Sequence, residues 1–254
     1  LFVGAAYAGT TLSYIFMGVL LGHTDSWKTA YLIVSLISSL SIFLSWVLIY
    51  PPPSKHLTSK STMPVSGYLD LSTLLDKSLA LAILSYALHT AELYLARMWL
   101  PLLLAAVFVQ QGLSTLDATS TAAATSGLIF MMGIIGVLVG GVLSDYLGRT
   151  IAAASIFTIS GICSFILGWV IHAPIDLIIV IGFIYGFMTA ADSAIHSTSI
   201  VELSPQDKVG SSQALQSFIG FTIGSIAPIF AGYLLDISNE FWEWGLTFSF
   251  NGIL

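Results

Sequence analysis

Seven long apolar runs divide the chain, at approximately 1–21, 30–50, 79–103, 121–143, 151–171, 177–201 and 212–235. An eighth starts near residue 245 and is cut at Leu254. A hydrocarbon core about 30 Å thick takes roughly 20 apolar residues of helix to cross, and each of the seven meets that length. Inside lipid, peptide groups survive only when they pair within their own segment. The pattern therefore predicts an all-α polytopic membrane protein. Short polar joints at 22–29, 116–120, 172–176, 204–211 and 236–244 carry the punctuation between runs.

One joint is long, 51–78. It opens on Pro51, Pro52 and Pro53, which stop the preceding helix because proline lacks an amide hydrogen and clashes with the turn before it. It closes on Leu71, Leu74 and Leu75, set among Asp70, Asp76 and Lys77. That spacing fits either a short amphipathic turn at the interface or a plain linker into the next helix. Basic residues set the orientation. With the first run travelling outward, Lys55, Lys60, Lys77, Arg149 and Lys208 fall on one side and only Lys28 on the other. Joint 51–78 is thus expected in the cytoplasm. Glycines recur four apart at Gly136 and Gly140, Gly182 and Gly186, and Gly220 and Gly224. These predict close helix–helix approach, because lipid supplies no hydrophobic drive between helices.

Composition sharpens the picture. Hydrophobic residues make up 56% of the 254 and charged residues 8%, against about 25% charged in a soluble domain. A net charge of −6 offers no basic face for nucleic acid. Cys163 is the single cysteine and lies in an apolar run, where it reads as a small buried hydrophobe. The chain starts inside a helix without a leader and ends inside another, so both ends read as cut.

Against this apolar background the ionisable residues inside the runs stand out, since charge at membrane depth is costly and usually faces a bundle interior or a wet cavity. The third run holds Tyr86, His89, Glu92 and Arg97. The first three are spaced by three and share a face. Counted from Leu79 at about 1.5 Å per residue, Glu92 lies about 20 Å along, slightly past mid-membrane. There a carboxyl group can exchange a proton, which is what coupling requires; the plainer reading is a static structural contact. Arg97 could hold an anionic solute, or snorkel to headgroups beside Trp99 as an interface anchor. The sixth run holds Asp192 and His196, four apart, preceded by Tyr185 and Thr189 on one polar stripe. An acid beside a histidine relays protons, orients a polar ligand, or packs with its hydrogen bonds satisfied. Gln110 and Gln111 follow a stretch from Leu100 that includes Pro101, and are expected to cap the outer end of the third helix or to line the outer mouth. Phe241, Trp242 and Trp244 beside Glu240 and Glu243 suggest an interfacial aromatic belt.

Other chemistry is missing. There is no phosphate-binding Gly-Lys-Ser/Thr loop, no His-Glu-x-x-His pair and no Gly-x-Ser-x-Gly elbow. His89 and Glu92 on one helix are too few for zinc. No metal, cofactor or catalytic residue is read, and the chain is not expected to be an enzyme.

The joint after the fourth run reads Gly-Val-Leu-Ser-Asp-Tyr-Leu-Gly-Arg-Thr from Gly141 to Thr150. Gly141 is expected to allow close packing, Gly148 a tight reversal, and Arg149 a pair with a carboxylate or a lipid phosphate. This joint resembles the Gly-x-x-x-Asp-Arg-x-Gly-Arg-Arg/Lys signature of the major facilitator superfamily. Gly141, Asp145, Gly148 and Arg149 match; Tyr146 and Thr150 depart from it and thin the basic cluster. Trp27 and Lys28 resemble the pair before that family's sixth helix. Pro205, Lys208 and Gly210, then Gly224, Pro228, Gly232 and Asp236, resemble the approach to its eleventh helix and that helix's interior.

The resemblance implies helices five to the start of twelve of that fold. Residues 1–50 would end the N-terminal bundle, 51–78 would be the central cytoplasmic loop, and 79–254 the C-terminal bundle, truncated in its last helix. It implies a conformational latch at Gly141, Asp145, Gly148 and Arg149, with Asp145 facing residues 1–4. It also puts Glu92 and Asp192 on helices that line a central path. The expected function is secondary active transport of a small solute by alternating access, coupled to protons as symport or antiport. A uniporter of the same fold, or a nontransporting receptor or scaffold, remains open. Expected partners are membrane lipid, the solute, protons and the remaining N-terminal helices, and the expected location is a plasma or bacterial inner membrane.

Overall fold

Hydrogen bonding within each segment dominates the structure, a computed structural model that describes residues 2–24, 26–48, 70–238 and 243–254. In chain order the helices are α1 (Phe2–Thr24), α2 (Trp27–Leu48), α3 (Lys77–Gln110), α4 (Thr115–Leu147), α5 (Arg149–Trp169), α6 (Ile175–Ala191), α7 (Ser193–Leu203), α8 (Val209–Ile237) and α9 (Glu243–Ile253). A single 3-10 turn, Leu71–Leu75, precedes α3. With α6 and α7 taken as one broken span, seven helical spans among the described residues are long and apolar enough to cross a membrane. This agrees with the seven runs.

Local chemistry sets the helix ends. Asp76 caps α3 by accepting from the Leu79 amide at 2.9 Å, and Ser114 caps α4 by accepting from the Asp117 amide at 3.2 Å. Gly148 turns α4 into α5 with a φ of +82°, a conformation that disfavours any side chain. The third run continues past Pro101 to Gln110, beyond the boundary expected near 103. Leu103, Leu104, Val107 and Phe108 are buried there, so tertiary packing carries the helix through the proline. The segment leading into α3 is a 3-10 turn, with Leu71 and Leu75 exposed. The prolines at 51–53, Lys55, Lys60, Glu240, Phe241 and Trp242 lie outside the described residues.

α1 packs along α4, α3 against α8, α4 against α6, and α5 against α9. The predicted glycine contacts form. A Cβ added to Gly136 would strike the Phe187 backbone, one on Gly140 the Ala191 backbone, and one on Gly186 the Ile129 backbone. Gly220 faces the Tyr86 ring and Gly224 faces Thr90. The expectation for Gly141 does not hold: no heavy atom lies within 4 Å of its would-be Cβ among the described residues. About 100° of helical rotation separates neighbouring residues, so Gly140 takes the contact and Gly141 turns away. At one end of the bundle an apolar core joins α3, α4, α5, α6 and α9, with Leu100, Leu104, Phe130, Leu167 and Phe248 fully enclosed; Cys163 sits in it as a small hydrophobe. Side-chain hydrogen bonds reinforce helix contacts, as from Ser164 to the Phe248 carbonyl at 2.9 Å and from Ser120 to the Gly18 carbonyl at 2.7 Å.

Candidate functional site

The predicted sixth run is not one helix. It breaks at Asp192, where the Ile195 amide turns to the Asp192 carbonyl at 2.9 Å. No proline causes this. The break falls where the α4 backbone, bare at Gly140, closes on Ala191. Asp192 is 2% exposed and stands at the joint of two half-helices, opposite His89 of α3.

Three predicted residues meet here. His89 Nδ1 lies 3.1 Å from Asp192 Oδ1, and His196 Nε2 lies 3.0 Å from Asp192 Oδ2. The imidazole rings are 5.0 Å apart, and Phe157 of α5 stands edge-on to both. The other His89 nitrogen, Nε2, is 3.0 Å from Ser193 Oγ, which is 2.9 Å from the Tyr7 hydroxyl of α1. The result is a string of close polar contacts, Tyr7–Ser193–His89–Asp192–His196, whose members are all less than 9% exposed; the His89–Asp192 link has ion-pair distance without hydrogen-bond alignment. Nothing in the sequence marked Tyr7 or Ser193 for this role, since their partners lie on other helices.

Glu92 is 3% exposed and turns to α5, where Ser160 donates a hydrogen bond to its carboxylate. No cation lies at ion-pair distance from it among the described residues. Tyr86 stays near both histidines, its ring 6.3 Å from each. Thr189 is buried on α6. Tyr185 is wholly buried, and its hydroxyl accepts from Asn251 Nδ2 of α9 at 2.6 Å. Arg97 turns to α1, with its guanidinium 5.2 Å from the Tyr7 ring centroid, and Tyr14 donates to its carbonyl at 2.6 Å. Its buried Nε has no hydrogen-bond partner among the described residues. Trp99, half-buried, ties α3 to α8. Its indole N–H donates to the Pro228 carbonyl of α8 at 3.0 Å.

His196 stands on the wall of a cavity of about 590 Å³ between α3, α5 and α7. Ser85, Phe157 and Ser199 share that wall, and Arg149 and Glu202 lie at its edge. Arg149 pairs with carboxylates, as one of its two expected alternatives held: Asp145 at 2.7 Å and Glu202 at 2.9 Å. Glu202, on α7, is a partner that the joint's own residues did not reveal. The expected meeting of Asp145 with residues 1–4 falls partly outside the described side chains, and the would-be Cβ of Gly4 has nothing within 4 Å.

The arrangement can carry a proton along a string of oxygens and ring nitrogens, and it can hold a polar or charged solute between half-helices. A family model described as Major Facilitator Superfamily matches residues 117–254. No curated protein matches the chain.

Proposed function

The chain belongs to the Major Facilitator Superfamily, and from that premise we propose that this integral multi-pass membrane transporter works by alternating access and couples solute movement to protons. The observation that carries the coupling is Glu92. It is an acid inside a span long and apolar enough to cross a membrane, nearly sealed from solvent, with a serine hydroxyl beside it and no cation at ion-pair distance among the described residues. An uncompensated charge is costly there. Such a group can load a proton in one state of the cycle and release it in another, as its surroundings dry and wet.

In this reading α1 and α2 end the N-terminal bundle, 51–78 is the cytoplasmic central loop, and α3 to α9 belong to the C-terminal bundle. The solute path runs between α1, α3 and the broken span α6–α7, because discontinuous helices build solute sites in secondary transporters. The half-buried Arg97, which has no ion-pair partner among the described residues, would meet an anionic group of the solute. Asp145, Arg149 and Glu202 would form a latch at the cytoplasmic end, closing when α4, α5 and α7 come together.

The test is uptake by the protein in proteoliposomes, with a pH-sensitive dye inside and a panel of small polar solutes outside. Solutes that move should carry protons with them, and a pH gradient should drive their accumulation. Glu92→Gln should keep solute exchange and lose the gradient-driven accumulation. Wild-type pH dependence in that variant would remove the proposal, and movement indifferent to any pH gradient would point to a uniporter.

A further inference from the structure

Zinc-type ligands meet in the polar chain in a way that spacing along one helix did not reveal: His89 pairs with Asp192 and His196 across a helix contact, not with Glu92. We propose that His89, Asp192 and His196 form a binding site for a divalent transition-metal ion, reached from the cavity on whose wall His196 stands.

Geometry comes first. One ligand atom from each of the three side chains can be chosen so that all lie within 4.8 Å of one another, and each histidine approaches a different carboxylate oxygen, His89 Nδ1 at 3.1 Å from Oδ1 and His196 Nε2 at 3.0 Å from Oδ2. Zinc bonds of about 2.0–2.1 Å at tetrahedral angles put neighbouring ligand atoms roughly 3.3 Å apart. An ion among these groups would draw the more widely spaced ligand atoms, which lie up to 4.8 Å apart, together by up to about 1.5 Å, within reach of side-chain rotation. The set is also pre-ordered. His89 keeps its second nitrogen on Ser193, which Tyr7 holds in turn, the kind of outer contact that fixes a ligating imidazole. Phe157 walls both rings, and the three ligands are 2–4% exposed. Bulk water thus competes little for the ion.

The ligand types narrow the metal. Two imidazoles and one carboxylate suit zinc, cobalt, nickel or iron in the divalent state, whereas magnesium and calcium prefer all-oxygen shells. Three protein ligands leave a fourth position for water or for a donor atom of a solute. The inference goes beyond the coupling reading and does not rest on Glu92.

A purely structural cluster would look alike at rest but would not hold a metal. The tag-free protein in detergent, stripped with chelator, should bind one equivalent of Co²⁺ with the visible absorption of a four-coordinate ion, and Zn²⁺ should displace it. Asp192→Asn and His196→Gln should each weaken binding roughly tenfold or more, and Ser193→Ala roughly tenfold through the freed His89 ring. His196→Gln keeps a hydrogen-bonding side chain beside Asp192, so an unchanged melting temperature separates lost ligation from lost folding. X-ray absorption on the zinc-loaded wild type needs no variant and should show two imidazoles at about 2.0–2.1 Å. Zinc flux that Asp192→Asn abolishes would make the ion a solute; binding without flux would make it a resident ion, and both support the site. No binding at micromolar metal, equal binding by wild type and variants, or a shell without imidazole would overturn it. These readouts are spectroscopic, so failure of proton coupling in Glu92→Gln leaves them untouched.

Discussion

Adjacent glycines on α4 offer a sharp test of how this bundle is held. At Gly140 an added Cβ would stand 2.6 Å from the Ala191 carbonyl carbon and 3.1 Å from its Cα, closer still to its oxygen. At Gly141 it would meet nothing within 4 Å. Gly→Ala in a helix gains about 1 kcal/mol of propensity at either position. Overpacking a tight contact costs typically about 1–3 kcal/mol. The obstacle at Gly140 is backbone on another helix, so no side-chain rotation relieves it, and the cost belongs at the upper end of that range. Gly140→Ala should therefore destabilise by about 2 kcal/mol net, and Gly141→Ala should be neutral or stabilise by up to about 1 kcal/mol. Reversible unfolding in mixed micelles, read by far-ultraviolet circular dichroism, measures both. Equal effects at the two sites, or a stabilised Gly140→Ala protein, would refute the α4–α6 contact as drawn. Because that contact borders the break at Asp192, Gly140→Ala should also slow transport, and Gly141→Ala should impair it less.

Two further outcomes follow from specific contacts. Trp99→Phe removes the indole bond to the Pro228 carbonyl and should cost about 1 kcal/mol in the same unfolding assay; an indole that merely touched lipid headgroups would show no such loss. Asp70 bridges to Lys208 at 2.9 Å, and hydrogen bonds from Ser72, then from Lys208, pull its carboxyl down to about 2. A carboxyl depressed in the folded state lends its stability above the unfolded value near 3.8 and loses it only as pH falls toward about 2. The contact between the 70–77 turn and the α7–α8 joint should thus persist unchanged from pH 7 to 5, while Asp70→Asn loosens it throughout that range. Amide hydrogen exchange over 70–77 reads both, and loosening already at pH 5 would contradict the assignment.

The spans were legible because crossing hydrocarbon is a one-dimensional demand: enough apolar residues in a row, with punctuation between. The reversal at Gly148 and the paired glycines follow from local chemistry in the same way; the caps at Asp76 and Ser114 are equally local but were seen only in the structure. Spacing also put Asp192 and His196 on one face, as it put Tyr86 beside His89. What spacing along a helix leaves open is which neighbour that face meets. Helix rotation and tilt decide this, and they are set by packing against other helices. For that reason Gly140 and not Gly141 takes the close contact, Arg149 finds Glu202, Trp99 holds Pro228, and Tyr185 turns to Asn251. The break at Asp192 belongs with these, since no proline or other local signal marks it and it lies beside the close approach of α4 at Gly140. The convergence of His89 with Asp192 and His196, the feature on which a proton path or a metal site depends, exists only in the packed bundle.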